Sequence, residues 1–211
     1  MVARFGPTGP SAGVPHGVMI GRVAATRDAS APTARFPVLE TPRLLLREVT
    51  LDDAAWYLRH FSDPEIVRGQ GCPAPADLDQ AAAELRTFFL DLFARGAGIR
   101  WGLTLRGSRG LIGSAGFYRW QRGPRAQAEL GYDLAPAYWG RGIMTEALRA
   151  ILEHGFGSMG MTRVEATVLT VNERSTRLLE RLGFVREALL YQLGADETGT
   201  LRDEYRYALE R

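Results

Sequence analysis

The stretch Tyr138-Trp139-Gly140-Arg141-Gly142-Ile143-Met144-Thr145-Glu146-Ala147-Leu148 constrains this chain more than any other. It follows an apolar run, 128–134, of strand length, and it leads into residues whose apolar positions recur at helical spacing. The order is strand, glycine-rich turn, helix start. Gly140 and Gly142 permit φ > 0 and keep Cβ atoms clear of an incoming ligand. The amides from Arg141 to Thr145 are the donors that a helix start leaves without intrahelical partners. With the positive end of the helix dipole behind them, they suit a phosphate or pyrophosphate, and Arg141 can add a charge-assisted bond. Taken in isolation, the turn has a structural explanation of equal weight, in which both glycines only shape a tight connection. The Gly-Lys-Ser/Thr ending of a Walker A loop is absent, and so is the dinucleotide GxGxxG pattern, so a nucleotide bound here is of another kind.

The 211 residues are enough for one domain with a sizeable core, and a hydrophobic content of 45% with 24% charged residues is that of an ordinary globular protein. No apolar run approaches the roughly 18 residues of a membrane span, and the N-terminus lacks the apolar core of a secretory signal. These features predict a cytoplasmic protein without a membrane partner. A net charge of +2 gives no footprint for nucleic acid. All 26 basic residues are arginine, which reads as a compositional bias. Cys72 is the only cysteine, so no intramolecular disulfide is possible and a reducing compartment fits. His16, His60 and His154 lie far apart without partners at metal-ligand spacing, so no metal is expected.

Residues 1–36 are rich in Gly, Pro, Ala, Ser and Thr, show no sustained period, and read as a flexible or loosely docked extension to a domain over 37–211. Val18-Met19-Ile20 reads as a short strand that would pair with a partner. Within the domain, 43–49 reads as a strand, and Thr50 with Asp53 resembles a capping box for a helix over 51–60, which Pro64 interrupts or restarts. A second helix is predicted over 76–95, with Leu85, Phe88, Phe89 and Leu92 at core spacing. Strands over 101–106, 111–120 and 125–134 form an antiparallel meander. After a helix over 142–156, the β-branched run 164–171 is a strand. The strand-helix-strand order makes it parallel to the one before the loop. Asn172 to Arg181 forms a short helix closed by Gly183 as its C′ residue. A final hairpin of 184–191 and 205–209 spans an acidic loop, 194–200. The result is an α+β sandwich: a mixed, mostly antiparallel sheet with helices on both faces.

The sequence Trp139-Gly140-Arg141-Gly142-Ile143-Met144-Thr145-Glu146-Ala147 resembles the acyl-CoA pyrophosphate loop of the GNAT superfamily of N-acetyltransferases, whose pattern is Gln/Arg-x-x-Gly-x-Gly/Ala. Trp139 stands at the Gln/Arg position, Gly142 at the central glycine and Met144 at the final small residue. Trp-Gly-x-Gly followed by Thr-Glu-Ala is similar to one subgroup, the Rim-type enzymes that acetylate N-termini of ribosomal proteins. Further matches follow in the same order: Thr41-Pro42-Arg43-Leu44-Leu45-Leu46-Arg47, Asp63-Pro64-Glu65, Ile112-Gly113, Glu129-Leu130-Gly131-Tyr132, Asn172-Glu173-Arg174-Ser175 and Leu182-Gly183-Phe184. They extend over about residues 39–210.

The resemblance implies that the parallel pair splays apart to admit the pantetheine arm of acetyl-CoA. A bulge at 130–133 would free backbone groups for it. It further implies cofactor contacts from Tyr132, Leu134, Trp139, Gly140, Arg141, Gly142, Ile143, Met144, Thr145, Asn172 and Ser175. The loop over 68–75 would overhang the acceptor mouth. Acyl transfer to an amine needs a held thioester, a neutral amine, charge stabilisation on the carbonyl oxygen and a proton for the leaving thiolate. An α-amine of pKa roughly 7.7 to 8.0 is about a tenth neutral at pH 7, whereas a lysine near 10.4 costs roughly 4.6 kcal/mol to deprotonate there. A protein or peptide N-terminus is therefore favoured over a small-molecule amine as acceptor. Glu129 is the candidate base working through water, the alternative being an ion-paired surface carboxylate. Backbone N–H groups near Leu134 are the expected oxyanion donors. Ser175 is the first candidate for protonating the thiolate, the alternative being a polar first-turn serine, and Tyr191 is the second. Asn172 doubles as the N-cap of its helix. Direct transfer in a ternary complex is expected, since Cys72 falls away from the matched site; a non-catalytic acyl-CoA-binding module is the rival. Either a monomer or a homodimer fits.

Overall fold

The computed structural model describes residues 2–3, 35–70, 73–195 and 200–211. Its strands are β1 (Val2–Ala3), β2 (Leu39–Glu40), β3 (Leu44–Arg47), β4 (Ile99–Leu105), β5 (Leu111–Gln121), β6 (Gln127–Leu134), β7 (Arg163–Leu169), β8 (Val185–Ala195) and β9 (Leu201–Glu210). They form one sheet in the order β2-β3-β4-β5-β6-β7-β9-β8, with β1 attached to β6. Among the described residues only the β6–β7 pair is parallel. That follows from the crossover helix α5 (Ile143–Phe156), since a parallel return needs a long connection.

Two cores sandwich the sheet. The larger one joins Trp101, Phe117, Leu130 and Val164 of the strands to Leu148 and Ile151 of α5 and to Leu178 and Leu179 of α6 (Glu173–Arg181). The smaller one holds α1 (Ala54–Phe61), α2 (Pro64–Gln70) and α3 (Leu78–Leu85) through Tyr57, Phe61, Ile66 and Leu85. The fold is thus α+β, mostly antiparallel with one parallel pair, and flanked by helices as the sequence suggests.

Local chemistry explains most element ends. Asp53 accepts the Thr50 amide at 2.9 Å, the anticipated capping contact, and also takes a two-pronged bond from Arg47. Asp77 caps α3 by accepting from the Gln80 amide at 2.8 Å. Gly183, at φ 89°, lets the Phe184 amide reach back to the Leu179 carbonyl and so ends α6. The helix expected over 76–95 is interrupted by a π turn at Arg86–Leu90 before the short α4 (Asp91–Ala94); Leu85 and Phe89 stay buried across it.

The predicted bulge at 130–133 is not there. Pairing of β6 with β5 is regular from Leu134 opposite Gly113 to Glu129 opposite Tyr118. The irregularity lies on β5, between Tyr118 and Gln121, where Arg119 adopts φ 52° and the Trp120 amide turns to the Ala97 carbonyl. A turn in the partner strand absorbs the extra residue, leaving β6 straight.

The ring of Phe36 sits edge-on to Phe93 and Trp101 and so packs on the domain. Most of the expected extension, including Val18-Met19-Ile20, lies outside the described residues, as do Cys72 and the loop acids Asp196 and Glu197. At the far side of the sheet, Arg163 of β7 binds Glu165 of its own strand, Glu187 of β8 and Glu210 of β9, at 2.9, 2.5 and 2.5 Å. Gly155 of α5 faces Phe117 so closely that a Cβ there would stand 2.7 Å from the ring. Gly155→Ala is therefore expected to lift α5 from the sheet and cost about 1–3 kcal/mol in urea unfolding. An unchanged midpoint would show that the helix has room to move.

Candidate functional site

The parallel pairing of β6 and β7 is short. Gln127, Ala128 and Glu129 stand opposite Arg163, Val164 and Glu165, and there it ends. Each strand continues in contact with its outer neighbour, β6 with β5 up to Leu134 and β7 with β9 up to Leu169. The two thus diverge into a wedge with its apex at Glu129. The Ala135 amide donates to the Ile112 carbonyl at 2.8 Å, so by strand alternation the main-chain groups of Leu130, Tyr132 and Leu134 turn away from β5 into the wedge.

At its mouth lies the glycine turn. Gly140 and Gly142 both take left-handed backbone, φ 73° and 72°; a Cβ would meet nothing at Gly140 and only an ordinary contact with Arg43, at 3.6 Å, at Gly142, so glycine is required for conformation rather than space. Helix α5 starts immediately after. Its first intrahelical donor is Glu146, to the Gly142 carbonyl at 3.1 Å; among the described residues the amides of residues 140–145 have no backbone acceptor. The side chains of Ile143, Met144 and Leu134 are buried in the core, leaving only their main chain to the site. A cleft of about 740 Å³ opens onto these amides, lined by Arg43, Tyr138, Thr145, Arg149 and Arg181 among others.

The turn is braced from a distant part of the chain. Glu146 accepts Thr41 Oγ1 at 2.6 Å, the Arg43 amide at 2.9 Å and Arg43 Nε at 2.6 Å, while Arg43 Nη1 donates to the Arg141 carbonyl at 2.9 Å. Against the upward push of partial burial, these donors hold the Glu146 carboxyl below its ordinary value. The first-turn acid is thereby occupied by protein donors. The Thr-Pro-Arg and Thr-Glu-Ala segments, matched separately in the sequence, are one hydrogen-bonded unit. Gly142→Ala forces a side chain into left-handed backbone at about 1–2 kcal/mol. If the turn holds the cofactor, the variant should bind acetyl-CoA roughly five- to thirtyfold more weakly in calorimetry. Unchanged affinity would detach the turn from binding.

On the opposite lip, Asn172 caps α6 by accepting the Ser175 amide at 3.2 Å. Ser175 is fully buried beneath that cap. The Tyr132 hydroxyl comes beside it from β6, enclosed and without a hydrogen bond of normal geometry. Burial pushes the Tyr132 phenol up, and Ser175 offsets part of this. Trp139 spans the mouth: its indole N–H donates to the Leu134 carbonyl at 2.6 Å, and the Arg174 guanidinium lies 4.6 Å above its ring.

Glu129, at the apex, pairs with Arg119 at 2.6 Å, as its alternative reading supposed, and also neighbours the Tyr118 hydroxyl. Its register partner is another acid, Glu165. Like charges side by side are unfavourable, and Arg119 and Arg163 compensate one each. Tyr191 is not drawn in with these groups, its ring being 72% exposed on β8. Of the acids near the last hairpin, Asp203 accepts the Gln192 amide and Glu204 is buried, so neither extends a solvated acidic tip.

Sequence reasoning missed one cluster. Asp133, pointing to the other face of β6, is completely buried, accepting from Ser114 N at 3.1 Å, Ser114 Oγ at 2.5 Å, His60 Nε2 at 2.6 Å and the Arg100 guanidinium. Burial pushes its carboxyl up, but Arg100, His60 and Ser114 outweigh that and hold it at about 2. An ionised acceptor requires the proton on His60 Nε2. His60 in turn stacks on Trp56, and Arg100 on Phe89. The network ties α1 and the π turn to the strand that forms one wall of the wedge. Its signal in the sequence was a lone aspartate in the strand Glu-Leu-Gly-Tyr-Asp-Leu.

A mixed sheet opened by two parting parallel strands, with a helix start and its unpaired amides at the mouth, is the architecture of an acyltransferase fold. The chain belongs to the GNAT family of N-acetyltransferases: residues 43–185 match the acetyltransferase (GNAT) domain. It is 38% identical over 157 residues to the uncharacterized N-acetyltransferase YoaA of Bacillus subtilis, covering 74% of this chain and 88% of that protein. It is 32% identical over 157 residues to the ribosomal protein uS5-alanine N-acetyltransferase of Escherichia coli, covering 71% and 78%. Among solved structures, Mycobacterium smegmatis RimJ in complex with CoA-disulfide superimposes with a TM-score of 0.68 at 27% identity, covering 79% of this chain and 81% of that one. These relatives support the Rim-type resemblance. Among the described residues no helix is long and apolar enough to cross a membrane.

Proposed function

We propose that this N-acetyltransferase takes its acetyl group from acetyl-CoA and delivers it to the α-amine of a protein or peptide N-terminus. One observation carries the reading: β6 and β7 part beyond Glu129, beside a turn whose amides from 140 to 145 have no backbone acceptor among the described residues. That arrangement supplies what coenzyme A needs, with donors for the diphosphate at the mouth and strand main chain for the pantetheine amides inside.

When bound, the cofactor supplies an activated acetyl thioester. Strand rise sets the Leu134 amide at the mouth, roughly 16 Å from the apex, so it serves the pantetheine, and the oxyanion donor is a main-chain amide of β6 nearer Glu129, at Leu130 or Tyr132. Glu129 draws a proton from the acceptor amine through water. Ser175, with Tyr132 beside it, protonates the departing thiolate. Tyr191 is a second acid only if the acceptor side reaches β8. Arg141, Thr145 and Arg149 add polar contacts around the phosphates, and Asn172 contacts the pantetheine while it caps α6. The preference for an α-amine rests on its lower pKa, which asks less of a base, and on the similarity to the uS5-alanine enzyme.

The test is release of free thiol from acetyl-CoA over peptides with different N-termini, polyamines, aminoglycosides and amino acids, with mass spectrometry of the products. Faster turnover of a small amine than of any peptide would overturn the acceptor assignment. The pairing of Glu129 with Arg119 favours one other reading, a non-catalytic acyl-CoA-binding module. Binding of acetyl-CoA without thiol release on any acceptor would establish it.

A further inference from the structure

We infer that the wedge is also the receptor for the chain's own strand β1, which competes there with the cofactor; the inference rests on the assignment of the pantetheine to this wedge. Val2 stands opposite Asp133 and Ala3 opposite Tyr132 in antiparallel pairing with β6. This is the stretch of β6 beyond Glu129 from which β7 has withdrawn. β1 also packs beside β7 and α2, so it lies inside the opening rather than on an outer edge of the sheet. The main chain of Leu130, Tyr132 and Leu134 directed into the wedge is a strand edge. An extended segment added to such an edge is held by backbone bonds whatever its side chains.

The direction of β1 makes the overlap specific. Running antiparallel to β6, it enters at the mouth beside Leu134 and advances toward the apex. A pantetheine arm with its phosphates on the glycine turn and its sulfur near Glu129 follows the same course, and its two amides resemble a short extended peptide. The two occupants require the same main-chain groups and exclude one another. Affinity for the cofactor is then lowered by the fraction of molecules in which β1 is seated. Because β1 belongs to the same chain, its pairing with β6 is intramolecular and its occupancy of the wedge does not fall on dilution.

The experiment compares the full chain with its Val2→Pro/Ala3→Pro variant, which removes both strand amides and leaves every proposed cofactor contact in place. In calorimetry with CoA, the variant is expected to bind about three- to tenfold more tightly, as a few net backbone bonds would allow. Hydrogen exchange without CoA should show the Tyr132 amide, opposite Ala3, less protected in the variant. Equal CoA affinity within about twofold, with both proteins binding, would overturn the competition and leave the cofactor assignment standing. Absence of CoA binding by both would overturn the cofactor assignment and this inference with it, and the exchange pattern would still report whether β1 pairs with β6.

Discussion

Glu129→Gln is expected to lower kcat for acetyl transfer by about a hundredfold or more, the usual contribution of a positioned base, while acetyl-CoA affinity in calorimetry stays within about twofold. The reasoning is geometric. Glu129 is the last residue of β6 that still pairs with β7, so its side chain stands where the wedge closes and where a thioester sulfur would stop. Glutamine preserves size and hydrogen bonding but accepts no proton. Arg119 is the complication, since it holds the carboxylate at 2.6 Å. Arg119→Ala would free that carboxylate, and a rise in rate from this change with a fall from Glu129→Gln would mark the ion pair as a restraint on the base. A kcat for Glu129→Gln within about threefold of the parent would instead leave Glu129 a structural ion-pair partner and transfer the proton to water or another group.

Asp133→Ala should be the most destabilising single change at the site, costing about 3–5 kcal/mol in urea unfolding because it strands a buried guanidinium. Arg100, His60 and Ser114 all donate to this carboxylate, and none has solvent to turn to. The acid dependence follows in sign. An unfolded aspartate titrates near 3.8 and the folded one near 2. The carboxylate's contribution is complete above the first value and is lost as pH falls toward the second, because there the unfolded chain binds the extra proton. Asp53, Glu146 and Glu187 are depressed too, so the diagnostic quantity is the difference between parent and variant. That difference should shrink as the pH drops through this window; if it stays constant, Asp133 is not the group responsible.

The parts of the site that sequence reasoning reached are those governed by local conformation. Two glycines before a helix fix left-handed backbone and free amides within a few residues, so the turn at 140–145 was readable directly. Asn172 as a cap and Gly183 as a stop are equally short-range. The wedge is different, because where two strands cease to pair depends on what holds each from outside, and only family resemblance suggested it. Resemblance also misplaced the bulge: β5 takes up the extra residue at Arg119, a position with no glycine to announce it. The Thr41–Arg43–Glu146 brace joins residues about a hundred positions apart. Both halves stood out as motifs, but nothing in their spacing said that they touch. β1 was out of reach for a similar reason, since Val2 and Ala3 are too few to show a period.

Arg163 bears on how the slot is set. It sits at the closed end of the β6–β7 pair, opposite Gln127 and two positions before the strands part, and fastens β7 to β8 and β9 by carboxylates on each. Prying β7 sideways would mean breaking several of these contacts together, whereas unzipping β6 would first disturb buried Asp133. The gap is thus framed on both flanks like a doorway between fixed jambs. Its width is determined before any guest arrives, and selection among guests falls to their thickness and their main-chain-like polarity rather than to a closing movement of the sheet.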